Sequence, residues 1–265
     1  MTSAGESGVE NSQLVDVLRS LGVDSGDSLI VHSNISSLLE SDMTVPGIIK
    51  QLFEAVGDEG TLAFPNFNFG WCEGKGFDYR RTPSEMGFLT EWARRDSRFV
   101  RTAHPVYSFS VAGRGQADFT GYDGPNAYGI GSGFDVLHRL GGKILVMGLP
   151  WDQSMTFFHY VEEQQRVPYR YFKPFVGMYC DAEGEVSKRE YFLYVRDLEA
   201  GVETYLEDAE RHFLEKGLAR EAESMETRFI LVSATDLYRE TVEQLLVNPS
   251  FLHRIDTAGR PKQAT

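Results

Sequence analysis

The sequence predicts an α/β protein: one compound domain with a mixed, mostly parallel sheet and flanking helices. Short apolar segments alternate with segments whose apolar side chains recur at helical spacing. Turns rich in glycine and aspartate separate these segments. With 42% hydrophobic residues, a chain of 265 residues can bury a sizeable core. We find no repeat or linker, so we expect one domain over residues 11–255, between disordered tails at residues 1–10 and 256–265.

The first two thirds of the chain carry the alternating pattern. The predicted helices cover residues 14–21, 46–56, 84–95, 134–140 and 159–165, and the predicted strands cover residues 28–32, 61–65, 106–112 and 143–148. Helix–strand alternation is typical of parallel sheets, in which each crossover returns the chain to the same edge. The long aromatic and glycine-rich segment over residues 66–83 is the kind of loop that covers a site.

The last third of the chain does not continue this helix–strand alternation. Residues 174–195 have the pattern of two antiparallel strands around a turn at residues 181–184. A long acidic helix is predicted over residues 198–216, and a further helix over residues 234–246.

Charge and composition exclude several classes of protein. The 26 basic and 39 acidic residues give a net charge of −13, which argues against broad binding to nucleic acid. No apolar run approaches the roughly 18–20 residues of a membrane span. The first residues are polar and acidic, unlike a signal peptide, and two cysteines are too few for a disulfide framework. We therefore predict a cytoplasmic protein with no nucleic-acid or membrane partner.

The segment over residues 156–163 holds the sharpest chemical signal. On a helix, residues three and four apart share a face, so Glu162 or Glu163 would lie beside His159. A carboxylate beside an imidazole raises its basicity, which suits a general base. The alternative is a surface histidine with an incidental acidic neighbour.

Other nucleophiles and metal sites have weaker support. Cys72 would be a covalent nucleophile if His104 or His159 activated it, whereas the alternative is an inert thiol in an aromatic loop. Neither cysteine belongs to a Cys-x-x-Cys pair, and the sequence has no His-Glu-x-x-His motif. We predict no metal.

Several segments are suited to anionic ligands. The glycine-rich segment over residues 129–133 precedes a predicted helix, and residues 32–34 follow a predicted strand at the edge where α/β proteins bind ligands. Arginine and lysine interleave with aromatic residues at residues 79–81 and 169–173, a pattern suited to a phosphate or a sugar face. Ordinary turns, caps and surface charge are the alternatives.

From about residue 14 to residue 176 the sequence resembles the aminoglycoside 3-N-acetyltransferase family, and it is most similar to relatives that act on sugars in polysaccharide biosynthesis. The matching segments are residues 21–27, 29–33, 55–62, 101–105, 108–109, 131–132, 141–145, 156–162 and 167–168, with Pro65 and Gly148. The resemblance implies an antibiotic N-acetyltransferase-like fold and an acyl-CoA-dependent N-acyltransferase domain. The co-substrate would be acetyl-CoA or another acyl-CoA.

The resemblance also implies roles for particular residues. His159 would be the general base for direct attack of an amine on the thioester, Glu162 would orient it, and Thr156 would place a hydroxyl near the thioester. The residues expected to bind the co-substrate are His32, Ser33, Asn34, His104, Gly131 and Ser132.

For the acceptor, the resemblance implies an amino sugar linked to a nucleotide, with an aminoglycoside as the alternative. The residues expected to bind it are Asp78, Tyr79, Arg80, Arg81, Arg170 and Lys173, whose cations would meet the diphosphate. We expect a small-molecule substrate and a homodimeric assembly.

Overall fold

A computed structural model of the chain describes residues 13–256. The strands are β1 (Ser28–Ser33), β2 (Thr61–Pro65), β3 (Phe77–Asp78), β4 (Val100–Arg101), β5 (Phe109–Gly113), β6 (Lys143–Met147), β7 (Arg170–Cys180), β8 (Val186–Arg196), β9 (Val202–Thr204), β10 (Ala219–Ser224), β11 (Thr227–Ser233) and β12 (His253–Ile255). The helices are α1 (Gln13–Leu21), α2 (Ser36–Glu40), α3 (Val45–Val56), α4 (Phe88–Arg95), α5 (Gln116–Thr120), α6 (Gly133–Arg139), α7 (Phe157–Gln164), α8 (Glu207–Glu215) and α9 (Ala234–Val247).

Seven strands form the central sheet, in the order β10-β11-β6-β1-β2-β5-β4. The central strand β1 pairs parallel with both β2 and β6. Strands β5 and β11 add antiparallel to this trio, and β4 and β10 close the two edges. The predicted α/β fold with a mixed sheet and flanking helices is confirmed, and its parallel part is the centre of the sheet.

Alternation along the central strands fills two cores, one on each face of the sheet. Ile30 and Ile144 lie in one apolar cluster, whereas their neighbours Leu29 and Leu145 lie in the other. Successive side chains of a strand point to opposite faces, so a strand that is apolar throughout requires cover on both sides. Helices α1, α3 and α4 cover one face, and α6, α7 and α9 cover the other.

Helix boundaries follow local signals. The hydroxyl of Thr44 accepts from Gly47 N at 3.2 Å and caps α3, and Gly57, with φ +66°, follows its end. Helix α1 ends before Gly22, whose φ of +99° suits glycine.

A three-stranded sheet stands beside the central one. Its order is β3-β7-β8, in which β7 and β8 form a long antiparallel ribbon and β3 pairs parallel with β7. The ribbon agrees with the antiparallel strands predicted over residues 174–195 and is longer at both ends.

In the last third of the chain, one expectation was wrong and one element was not predicted. The predicted helix over residues 198–216 begins only at Glu207, because Gly201 turns the chain at φ +73° and residues 202–204 form β9, which pairs with β12. The hairpin of β10 and β11 was not predicted at all. Its two turn residues, Met225 and Glu226, both have positive φ, of +49° and +51°, without the Asn-Gly signal of such turns.

Within residues 13–256, no helix is both long and apolar enough to cross a membrane. The predicted tails fall mainly on residues 1–12 and 257–265, which lie outside the described residues, so they stay predictions.

Candidate active site

The predicted histidine–carboxylate pair forms on the first two turns of α7. Nδ1 of His159 lies 2.7 Å from Oε2 of Glu162. The Glu162 side chain is 1% exposed and that of His159 is 21% exposed. The imidazole therefore reaches the surface of the site, while its carboxylate partner is held inside the protein.

Arg170, the first residue of β7, completes this cluster. Its Nε lies 2.8 Å from Oε2 of Glu162, an ion-pair distance, and its Nη1 donates to the carbonyl of Tyr194 at 3.1 Å. Nη2 also lies 3.0 Å from Nδ1 of His159. The Glu162 carboxylate only accepts and the Arg170 guanidinium only donates, so Nδ1 cannot bond to both. The shorter contact, 2.7 Å to Glu162, places the proton on Nδ1 and directs it to the carboxylate. That tautomer leaves Nε2 of His159 with a free lone pair.

The pKa values of the cluster suit a resting base. Burial penalises the charged carboxylate of Glu162, but the charge of Arg170 and the hydrogen bond from His159 outweigh it and lower its pKa to about 2. Burial and the Arg170 cation lower the pKa of His159 below its usual 6.5, against the opposing effect of Glu162. At neutral pH the imidazole is therefore neutral and able to take a proton.

Aromatic side chains surround the pair. The ring of Tyr128 meets that of His159 edge-on, with centroids 5.8 Å apart. Tyr169 stacks on His253 at 3.7 Å, and burial together with the Glu162 carboxylate raises the pKa of its phenol. These rings restrict the orientation of the imidazole and exclude water from the carboxylate.

Thr156 immediately precedes α7. Its carbonyl accepts from His159 N at 2.9 Å, and its half-buried side chain does not cap the helix. The hydroxyl thus lies one turn before the base and is not used in capping.

A cleft of about 440 Å³ opens at the carboxyl ends of β1 and β2, where residues 32–34 were expected to bind a co-substrate. Its lining residues are His32, Ser33, Asn34, Ile35, Ser36, Leu39, Pro65, Glu85, Met86, Gly87, Phe88, Thr90, Leu149 and Gln153. The buried hydroxyl of Ser33 has no partner among the described residues, whereas the Asn34 amide oxygen accepts from Ser36. Burial lowers the pKa of His32 to about 3, so this imidazole is neutral.

The cleft is connected to the His159 segment along the chain. The loop after β6 contributes Leu149 and Gln153 to the cleft and then enters α7. A row of ring contacts also joins the two places: its members are His32, Phe67, Tyr107, Tyr128 and His159, with successive centroids 6.4, 4.9, 5.0 and 5.8 Å apart.

The glycine-rich segment before α6 is engaged within the protein. Ser132 caps α6 by accepting from Asp135 N at 3.4 Å, and Gly131 N donates to the Asp135 carboxylate at 2.9 Å. Neither Gly131 nor Ser132 lines the cleft around residues 32–34. The structure therefore does not join these two predicted co-substrate segments in one cavity.

His104 is buried and neutral. Its Nδ1 accepts from the backbone of Val106 and Tyr107, at 3.2 and 3.0 Å, so the proton lies on Nε2. Burial lowers its pKa to about 3. Nε2 has no partner among the described residues, and the ring meets Tyr191 edge-on at 5.0 Å.

The residues expected to bind the acceptor separate into two groups. Residues 78–81 lie on and after β3, which pairs with the Cys180 end of β7, while Arg170 begins that strand. An 11-residue strand places its ends about 30 Å apart. Arg170 is held by its ion pair with Glu162, and Lys173 lies exposed over the ring of Phe175. The structure therefore does not gather these cations around one diphosphate.

Residues 78–81 contact one another and Arg101. The Asp78 carboxylate accepts from the backbone of Arg80 and Arg81, both at 2.9 Å, and the Tyr79 hydroxyl donates to the carbonyl of Arg101. Arg80 is exposed, and the Arg81 side chain is 89% exposed.

The alternative nucleophile lacks activation. Burial raises the pKa of the Cys72 thiol to about 11, so the thiolate is scarce at neutral pH. Over residues 13–256, no three His, Cys, Asp or Glu side chains are grouped as metal ligands.

Sequence reasoning named Arg170 as a site residue but not its ion pair with Glu162, and it did not name two aromatic members of the cluster. Tyr128 and Tyr169 come from a loop and from the residue before β7, and no spacing rule links them to α7. The Tyr169–Arg170 pair was the one available signal.

Comparison with known proteins gives the class and the family. The solved structure of aminoglycoside acetyltransferase AAC(3)-IVa superposes with a TM-score of 0.76 at 24% identity, over 94% of this chain and 92% of that chain. A structure of AAC-IIIb, described as binary with CoASH, superposes with a TM-score of 0.73 at 24% identity, over 88% and 95%. The protein thus has the AAC(3) acetyltransferase fold.

The sequence match extends this to the family. Residues 30–246 match the family model described as aminoglycoside 3-N-acetyltransferase, so the chain belongs to that family. A curated relative, aminoglycoside N(3)-acetyltransferase IV of Salmonella sp, is 29% identical over 161 residues, which span 60% of this chain and 60% of that relative.

Proposed function

We propose that the protein is an acyl-CoA-dependent N-acyltransferase that transfers an acyl group, acetyl by default, to the amine of an amino sugar. The observation that carries the proposal is the neutral His159, fixed through Nδ1 by a buried Glu162 and free at Nε2, on the helix that follows a cleft-lining loop. Family membership over residues 30–246 supports the same chemistry.

In the proposed reaction, acetyl-CoA supplies the acetyl group as a thioester. The acceptor nitrogen forms a bond to the thioester carbon while His159 Nε2 takes a proton from that nitrogen, and the carbon–sulfur bond then breaks to release CoA thiolate. Glu162 stabilises the imidazolium that forms, and Arg170 limits this stabilisation, so the imidazolium readily gives its proton to the departing CoA thiolate and returns to the neutral form.

The cleft at the ends of β1 and β2 is the proposed co-substrate site. The unpartnered hydroxyl of Ser33 is a buried polar atom that a pantetheine amide would satisfy. The exposed ring of Phe88 and the side chain of Leu39 offer apolar surface at the same cleft. We propose that the Thr156 hydroxyl, one turn before the base, meets the reacting thioester. His104, Gly131 and Ser132 stay candidates for contacts with the distal part of CoA.

Aminoglycosides are the acceptors that the comparisons favour. The family and the curated relative are both named for aminoglycoside N-acetylation. The names do not support the nucleotide-linked sugar that the sequence resemblance implies.

One observation nevertheless keeps an anionic amino sugar as a second candidate. The cations Arg170 and Arg196 lower the pKa of His159, and one carboxylate, that of Glu162, raises it. This local excess of positive charge opposes a polycationic acceptor and favours one that carries an anion.

An acceptor panel tests the function. Purified protein is incubated with acetyl-CoA and with aminoglycosides, neutral amino sugars or nucleotide-linked amino sugars, and released CoA thiol and acetylated product are measured. We expect CoA thiol and acetylated amine in equal amounts, and a rate that saturates with the concentration of acceptors of one class. Thiol release without acetylated amine would indicate mere hydrolysis, and no release with any amine would exclude the function.

Two further expectations stay predictions. Sedimentation velocity tests the homodimer, and fractionation of the producing cells tests the cytoplasmic location.

A further inference from the structure

Arg196 lies at the catalytic cluster, although sequence reasoning did not single it out. It ends β8 directly opposite Arg170, its register partner on β7. Side chains of directly opposed residues share one face of an antiparallel pair. Because Arg170 points to Glu162 and His159, Arg196 projects from the same face of the ribbon.

The two arginines differ in how they are neutralised. Arg170 has an ion pair with Glu162, whereas no described carboxylate forms an ion pair with Arg196. Burial and the neighbouring Arg170 lower the pKa of Arg196, while Tyr107, Glu162 and Glu203 act in the opposite direction. Glu203 itself pairs with Arg254 at 3.4 Å. Directly opposed like charges destabilise a ribbon, so the half-buried Arg196 is a cost to the fold.

An anion that meets Arg196 would come from the acceptor. Its charge reaches His159, the base that takes the proton of the reacting amine. The thioester end of acyl-CoA is uncharged, and the neutral pantetheine arm separates it from the nearest phosphate. A negative group within reach of both Arg196 and the amine therefore belongs to the molecule that carries the amine.

We propose that Arg196 determines acceptor specificity by binding a carboxylate or phosphate near the reacting amine. The inference rests on the proposed function for the identity of the site, and it adds the charge of the substrate. Amino sugars with such an anion would bind better than neutral or polycationic ones.

Equilibrium binding tests the inference separately from turnover. The probes are glucosamine, glucosamine 1-phosphate and glucosamine 6-phosphate, which share the amine and differ in the anion, and the dissociation constants are measured by calorimetry. We expect one phosphate ester to bind at least about tenfold more tightly than glucosamine. In R196Q this advantage should fall to within about threefold, and R196K should retain part of it.

Arg189 provides the matched control, since R189Q removes the same charge from the same strand, about 20 Å from Arg196. R189Q should keep the wild-type preference for the phosphate ester. If R189Q and R196Q lose this preference equally, the effect is one of net charge and the inference is overturned. Equal binding of the three probes to wild-type protein would also overturn it. Turnover of neutral amines with no anion preference would leave the proposed function standing and refute the role of Arg196.

Discussion

Glu162 lies 2.7 Å from His159, three residues further along the same helix, and is more deeply buried than the imidazole it contacts. The carboxylate also forms an ion pair with Arg170, so the cluster joins two side chains of α7 and one of β7. Glu162 sets the tautomer of the base, and Arg170 sets how strongly the imidazolium is stabilised.

Replacement of His159 by alanine should lower kcat by about two to four orders of magnitude, because the amine then loses its general base. Steady-state kinetics with the best acceptor of the panel measures the effect. His138→Gln is the control: His138 stacks on Tyr238 and contacts the Tyr160 hydroxyl at 3.2 Å, away from the base. Activity of H159A within threefold of wild type would contradict the role.

The acid limb of kcat/KM should lie below pH 6.5, because the folded pKa of His159 is lowered and the base acts when deprotonated. In R170Q the limb should move to higher pH, since the cation that disfavours the imidazolium is gone. Profiles of kcat/KM against pH, with an NMR titration of His159, measure both. R166Q removes an exposed cation that lies over Phe172 and should leave the limb in place. An unmoved or lower limb in R170Q would refute the electrostatic role of Arg170.

Glu162→Gln should destabilise the protein by about 3 kcal/mol at pH 7, because Arg170 loses its buried partner. The folded pKa of Glu162 is about 2, below the usual 4.5, so its contribution is complete above pH 4.5 and is lost as the pH falls toward 2. The stability gap between wild type and E162Q should therefore shrink over that range in urea unfolding.

Glu163 is a control because its ionisation should change the stability of the protein in the opposite direction. Burial raises its pKa to about 7, so its ionisation destabilises the fold as the pH rises from 4.5 through 7. E163Q should be more stable than wild type above pH 7. If the difference in unfolding free energy between wild type and E162Q does not change with pH, Glu162 stabilises the protein by packing rather than by charge.

The core of the site could be predicted from sequence because its two partners are local. Helical periodicity alone brings Glu162 to His159. Arg170 enters from a strand, and Arg196 from its register partner, so their contacts depend on how the ribbon docks against α7. Such long-range docking leaves no spacing signal, which is why Arg170 was expected elsewhere.

The fold was predictable where strands are buried on both faces, as in β1 and β6, and less so at the hairpin of β10 and β11. Glu226 occupies a positive φ of +51° there, which glycine adopts more easily. Glu226→Gly should therefore stabilise the protein by about 0.5–1 kcal/mol in urea unfolding.

Glu223→Gly provides the contrast in the same hairpin. Glu223 lies within β10, paired with Arg228, and glycine there should weaken the strand. Equal effects of the two glycines would show that the turn carries no strain.

The proposed base, His159, lies on α7, whereas Arg170 and Arg196 lie on the ribbon. Arg170 begins β7 and Arg196 ends β8, and the two are paired with each other at the same end of the ribbon. A substitution at position 196 therefore leaves the His159–Glu162 pair in place, although it removes one of the charges that lower the pKa of His159. The proposed roles thus fall on separate elements, proton removal on the helix and acceptor preference on the ribbon. A single codon is then the place at which to redirect the proposed acceptor preference.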